Sequence, residues 1–174
     1  VVALASSLPS KASVPTSVVI PAGSNSATFA FTLHNDNFVD GTRAVQVTAS
    51  VTNWTSGIAT VNVLDNEART LAVSMPYEAV EGQGVLAAQG QVSLAGLAFT
   101  PVTVSLANTE TSQLIVPASV TIPAGQSSAS FDLAILENTT KEVAVDVSII
   151  ASAATYTSSV PQILTVFDND AASF

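Results

Sequence analysis

The chain has 174 residues and a net charge of −9, and it is 48% hydrophobic but only 10% charged. With Lys plus Arg at 4 it cannot line a cationic face for nucleic-acid phosphates or anionic lipid, and without Cys it has no thiolate ligand, disulfide or Cys nucleophile. No apolar run reaches the length of about 18 residues that a membrane-spanning helix needs, and no charged segment followed by an apolar one opens the chain as a signal peptide would.

Abundant Val, Ile and Leu speak against disorder, and abundant Val and Thr favour strands. Val1–Leu4 reads as the end of a strand. Ser17-Val-Val-Ile-Pro-Ala-Gly23 follows, and it returns almost unchanged as Ser119-Val-Thr-Ile-Pro-Ala-Gly125, an offset of 102 residues. That spacing is too long for a solenoid unit and suits one β-sandwich domain. After the first copy Ala27, Phe29, Phe31 and Leu33 alternate with small or polar residues, which predicts a half-buried strand over 27–33. The loop 34–42 carries His34, Asp36 and Asp40, with an Asp-Gly turn signal. Val45, Val47, Ala49 and Val51 predict a further strand, Trp54 sits near a turn, and Ala59, Val61 and Val63 lead to Asp65-Asn-Glu67.

The segment 68–102 has no counterpart earlier in the chain. Leu71, Val73 and Met75 alternate, Val80-Glu-Gly82 follows, and an apolar run extends from Val85 to Phe99, broken by Gly90 and Gly96. The second copy then repeats the order of the first. Ala129, Phe131, Leu133 and Ile135 match the predicted strand 27–33. Val143, Val145, Val147 and Ile149 match the next, Tyr156 stands near the turn, and Leu164 and Val166 lead to Asp168-Asn-Asp170. No segment keeps a helical period. The expectation is an all-β chain of tandem immunoglobulin-like antiparallel β-sandwiches: residues 1–66 form one that is incomplete at its N-terminus, and 67–174 form a complete one with the start of a linker.

Three features together resemble the Calx-β repeat family. They are the entry Asp65-Asn-Glu67 to Leu71-Ala-Val73 and Val80-Glu-Gly82, the loop with Asp40-Gly-Thr42 before an alternating strand, and the strand ending in Asp168-Asn-Asp170. The resemblance covers 67–170 and most of 1–66. It implies a seven-stranded immunoglobulin-like sandwich found as tandem modules in bacterial surface and adhesion proteins, with calcium at one end in some members. Carried over by position, it implies calcium ligands at Glu81, at Glu137 with Glu142, and at Asp168 with Asp170. In the first copy it implies Asp36 with Asp40, and Asp65 with Glu67. The second copy's loop departs from the pattern: it reads Leu136-Glu-Asn-Thr-Thr-Lys-Glu142, without consecutive aspartates and with Lys141 beside the site. Without a metal, the same residues serve as turn formers and strand stops.

The sequence carries no Gly-x-Ser-x-Gly elbow and no phosphate loop, since no helix follows Gly82-x-Gly84. His34 reads as a solvated loop residue. Trp54 reads as a core or turn anchor in preference to a sugar platform. Asn53-Trp-Thr55 and Asn138-Thr-Thr140 fit the glycosylation pattern, which matters only in a eukaryotic secretory pathway. The expectation is a non-catalytic structural or adhesion module, extracellular or on a bacterial cell surface. Its partners are neighbouring repeats of the same protein, and calcium stiffens the junctions. The alternative is a filament subunit whose missing first strands are supplied by other copies of the chain.

Overall fold

The structure is a computed structural model that describes residues 1–170. It is all-β, with seventeen strands and no helix among the described residues. The chain divides into two compact units, 1–66 and 67 onward.

The first unit contains β1 (Val2–Ser6), β2 (Ala12–Ser13), β3 (Ser17–Val18), β4 (Thr32–Leu33), β5 (Phe38–Val39), β6 (Arg43–Ser50) and β7 (Gly57–Val63). One sheet runs β3-β1-β6-β7 and a two-stranded sheet pairs β2 with β4. Leu4, Ala12, Val39, Val45 and Val47 are its buried residues, and Val45 and Val47 face inward in an alternating run.

The second unit contains β8 (Leu71–Ser74), β9 (Glu78–Val80), β10 (Gly84–Leu94), β11 (Leu97–Ala98), β12 (Val102–Asn108), β13 (Leu114–Ile115), β14 (Ser119–Ile122), β15 (Ser128–Ile135), β16 (Val145–Ser152) and β17 (Gln162–Phe167). A five-stranded sheet, β14-β12-β16-β17-β9, and a four-stranded sheet, β13-β15-β10-β8, supply the two inner faces of a sandwich core. Val104, Ile122, Leu133, Val147, Ile149 and Leu164 are fully buried there. Strands pair antiparallel except for β9, which runs parallel to β17 with Val80 beside Phe167, and an isolated parallel bridge joins Thr70 to Thr157. Strand β10 breaks register between Leu86 and Gly90. The bulge turns Ala88 into a left-handed conformation, where its N–H donates to Asp132 Oδ1 at 2.8 Å. Gly90 lies under the Phe131 ring, and a Cβ there would run into the ring carbons.

The repeat extends to register. Val2 pairs with Val18 and Leu4 with Ala49 in the first unit. Val104 pairs with Val120 and Leu106 with Ala151 in the second. Ala12 faces Leu33 as Leu114 faces Ile135. Removing β8, β9 and β10 from the second unit leaves the sheet orders of the first. SV-x-IPAG is thus the edge strand β3 or β14 followed by a turn, with Gly23 and Gly125 at positive φ, the conformation glycine adopts without strain.

One strand expectation is overturned. Residues 27–31 are not a strand, only Thr32–Leu33 pair, and Phe29 is 41% exposed. The same alternating pattern forms the eight-residue β15 in the second unit, where Phe131 is 4% exposed. The difference is the partner. Strand β15 lies against β10, and the first unit has no such strand to satisfy the backbone of 27–31 or cover its apolar face.

Candidate functional site

The acidic end of the second unit follows from two pairings. Parallel β9 and β17 stop side by side, so the residues just past them, Glu81 and Asp168, emerge at the same end of the sheet. Alternation then fixes their direction. Ala79 and Val166 are buried, and Glu81 and Asp168 lie two residues on, with the same inward parity.

The backbone locks Glu81 in place. Its N–H donates to the Phe167 carbonyl at 2.9 Å and its carbonyl accepts from Asn169 Nδ2 at 2.9 Å. The Gly82 N–H donates to the Leu136 carbonyl at 2.9 Å, drawing in the loop that carries Glu137, Asn138 and Glu142. Gly82 has φ +70°, and a Cβ there would strike the Glu137 carboxylate.

One oxygen each from Glu81, Asp168 and Asp170 lies within 4.8 Å of the others. Oxygens bound to one calcium ion at about 2.4 Å can stand no more than about 5 Å apart, so the three fit a single ion. Glu81 is 3% exposed. Its Oε1 accepts from Asn138 Nδ2, while Oε2 is buried without a hydrogen-bond partner, as is Asp170 Oδ2. Burial first, and then the charges of Glu137, Glu142, Asp168 and Asp170, push the Glu81 carboxyl above its ordinary range. Glu142 completes the rim: its Oε1 accepts from Asn138 at 2.9 Å and from Gln113 Nε2 at 3.0 Å, and its N–H donates to Asp168 Oδ2 at 3.1 Å. Lys141 is exposed, and among the described residues no Lys or Arg pairs with any of the five carboxylates. A hard-oxygen cluster with orphaned buried oxygens and no counter-ion fits calcium.

The first unit is built differently. Lys11 Nζ sits 2.7 Å from Asp36 Oδ2 and 2.9 Å from Asp40 Oδ2, and Arg43 Nε donates to the same Asp40 oxygen at 3.0 Å. Asp65 Oδ2 accepts from the N–H groups of Asp40 at 2.9 Å and Gly41 at 2.6 Å. The hydrogen bond from Lys11 holds the Asp36 carboxyl below its usual range. For Lys11 itself burial works downward, but the hydrogen bonds and charges of Asp36 and Asp40 outweigh it and raise its pKa. The expected ligands Asp36 and Asp40 therefore come together around ammonium and guanidinium groups, and Asp65 joins them through the backbone N–H groups of Asp40 and Gly41. Glu67 lies past the first unit's boundary, in the second.

Sequence reasoning passed over Lys11, Gln113, Asn138 and Asn169. The 102-residue offset was the available signal, since it sets Lys11 against Gln113 and Asp36 against Asn138. Asn138, which fits the glycosylation pattern, has its amide engaged with Glu81 and Glu142. Trp54 corrects half of another expectation: at 76% exposed it anchors no core, though it stands at a turn, where its N–H donates to the Val51 carbonyl at 3.0 Å. Tyr156 at the matching turn lies under the Arg69 guanidinium, 5.7 Å from it. His34 is exposed, as expected, with Nε2 2.8 Å from Ser13 Oγ.

No protein family and no curated protein matches the chain. Among solved structures it is similar to a glycosyl hydrolase family 2 member from Bacteroides cellulosilyticus, with 9% identity over 82% of this chain and 20% of that one at a TM-score of 0.43. It is similar to the S-layer protein rSbsC, with 18% identity over 99% of this chain and 20% of that one at a TM-score of 0.42. For the D00-D0 domain of Intimin the values are 14%, 93%, 84% and 0.35. The chain thus spans about a fifth of the length of the first two. The fold and the site rest on the chain's own geometry.

Proposed function

We propose that the chain is a non-catalytic structural segment of an extracellular, bacterial surface or adhesion protein, whose second unit holds one calcium ion. The observation that carries the calcium reading is the buried, unpartnered Glu81 oxygen beside Asp168 and Asp170. Glu137 and Glu142 line the rim of the site. Calcium supplies charge neutralisation there, and the residues supply oxygens already held by backbone bonds. Binding neutralises the acidic chain that leaves β17 and stiffens it toward a neighbouring repeat. Thermal unfolding tests the ion: calcium raises the transition above that in chelator, and coinciding curves at millimolar calcium count against it. Solution scattering tests the stiffening through the maximum dimension, which an inert junction leaves unchanged.

A second reading has its own support in the first unit. Its two-stranded sheet, the unpaired segment 27–31 and exposed Phe29 suit completion by a strand from another copy of the chain. Sedimentation that finds only monomer at high concentration rules this out.

A further inference from the structure

The two acidic clusters share one frame. In the first unit the Phe38 N–H donates to Asp36 Oδ1 at 3.0 Å, and the Asp40 N–H to Asp65 Oδ2 at 2.9 Å. In the second the Thr140 N–H donates to Asn138 Oδ1 at 2.6 Å, and the Glu142 N–H to Asp168 Oδ2 at 3.1 Å. The Lys11 carbonyl accepts from the His34 N–H at 2.9 Å, and the Gln113 carbonyl from the Leu136 N–H at 2.9 Å. Lys11 and Gln113 therefore occupy the same place, as do Asp40 and Glu142, and Arg43 and Val145.

Within that frame the charges differ. The first cluster sets Asp36 and Asp40 against Lys11 and Arg43, with Asp65 held on the Asp40 N–H. The second gathers Glu81, Glu137, Glu142, Asp168 and Asp170 with no cationic side chain paired to them among the described residues. The Asp40 carboxylate is 1% exposed and its Oδ1 has no hydrogen-bond partner, so one buried oxygen there stands ready for a further cation contact.

We propose that Lys11 is the first unit's resident cation, bridging Asp36 and Asp40 where the second unit has the neutral Gln113, so that this unit is metal-independent and takes a divalent cation when Lys11 is replaced. A lysine ammonium is a compact point charge able to bridge two carboxylates, and its tether makes it present at any calcium concentration. The glutamine in the equivalent place donates to one carboxylate and adds no charge. The contrast between units rests on the calcium reading above, whereas the role of Lys11 in chelator does not.

Amide exchange read by segment tests it, on the intact chain in chelator and in calcium. In the wild type, exchange at Phe38, Asp40 and Gly41 is the same in both. Lys11→Gln speeds that exchange at least about tenfold in chelator, as loss of a largely buried partner does, and calcium restores it. Adding Arg43→Val enlarges the calcium response. Gln113→Lys does the converse: exchange at Thr140 and Glu142 slows in chelator and stops responding to calcium, and this arm stands if Lys11→Gln fails to fold. Calcium protection of Phe38–Gly41 in the wild type overturns the proposal, as does unchanged exchange in Lys11→Gln, no rescue by calcium, or no effect of Gln113→Lys in chelator. Wild-type exchange at Thr140 and Glu142 that ignores calcium sinks the second unit's ion site instead, leaving the chelator comparison of Lys11→Gln to judge the lysine.

Discussion

Glu81 is set by its backbone neighbours and opposed by its charged ones. Strand pairing holds its main chain, inward parity buries its side chain, and four other carboxylates act on it without a cation. Such a residue costs stability until an ion arrives. Glu81→Gln keeps the acceptor for Asn138 and removes the charge. In chelator it is expected to raise the melting temperature of the chain, and in calcium to abolish the ion's stabilising effect, both read by calorimetry. A lower melting temperature in chelator would mean that the ionised Glu81 is already well compensated. The sequence showed this residue only through a family resemblance. Its partners Asn138 and Asn169 were invisible because a neutral amide beside a carboxylate has no signature until the fold brings the two together.

Between the two ends of the repeat, acid is expected to act in opposite directions. Glu81 binds its proton more tightly folded than unfolded, so in chelator the second unit gains stability as pH falls from neutral through the raised value toward the ordinary 4.5. Over the same range protons compete with calcium and its affinity falls. Asp36 is shifted the other way: its contribution is present above the ordinary 3.8 and is lost as pH drops through the lowered value. The Lys11 contribution is complete below 10.5 and is lost as pH rises through its raised value. Urea unfolding in chelator, followed by exchange in each unit, checks the Glu81 sign between about pH 7 and about pH 4.5 and the Asp36 sign between about pH 4 and about pH 2. The elements themselves were largely legible. Alternating runs predicted β6, β15 and β16, because a half-buried strand writes its face into the chain. The run at 27–33 misled for the same reason: it carries the pattern of a strand whose partner, the counterpart of β10, is not among the described strands.

At the scale of the whole molecule, one pattern has two energetic outcomes. Phe131 packs on Gly90 in a closed sandwich, and Phe29 lies exposed on an open one. Phe131→Ala is expected to cost about 3–5 kcal/mol of unfolding free energy. Phe29→Ala is expected to cost less, about 1–2 kcal/mol, since 41% of its surface stays in water. Equal losses in chemical denaturation would mean that the first unit is covered in solution, as strand donation requires. The repeat, the fold class and the acidic strand ends could be read from the sequence. The sorting of the two clusters into lysine-paired and unpaired could not, because charge pairing depends on which loops meet. Calorimetric titration of the intact chain with calcium tests the account most directly. One ion is expected to bind, to stabilise the chain by about 2.7 kcal/mol at a hundredfold excess over its dissociation constant, and to be lost in Glu81→Gln. No heat of binding at millimolar calcium, together with unfolding curves that coincide with those in chelator, would contradict it.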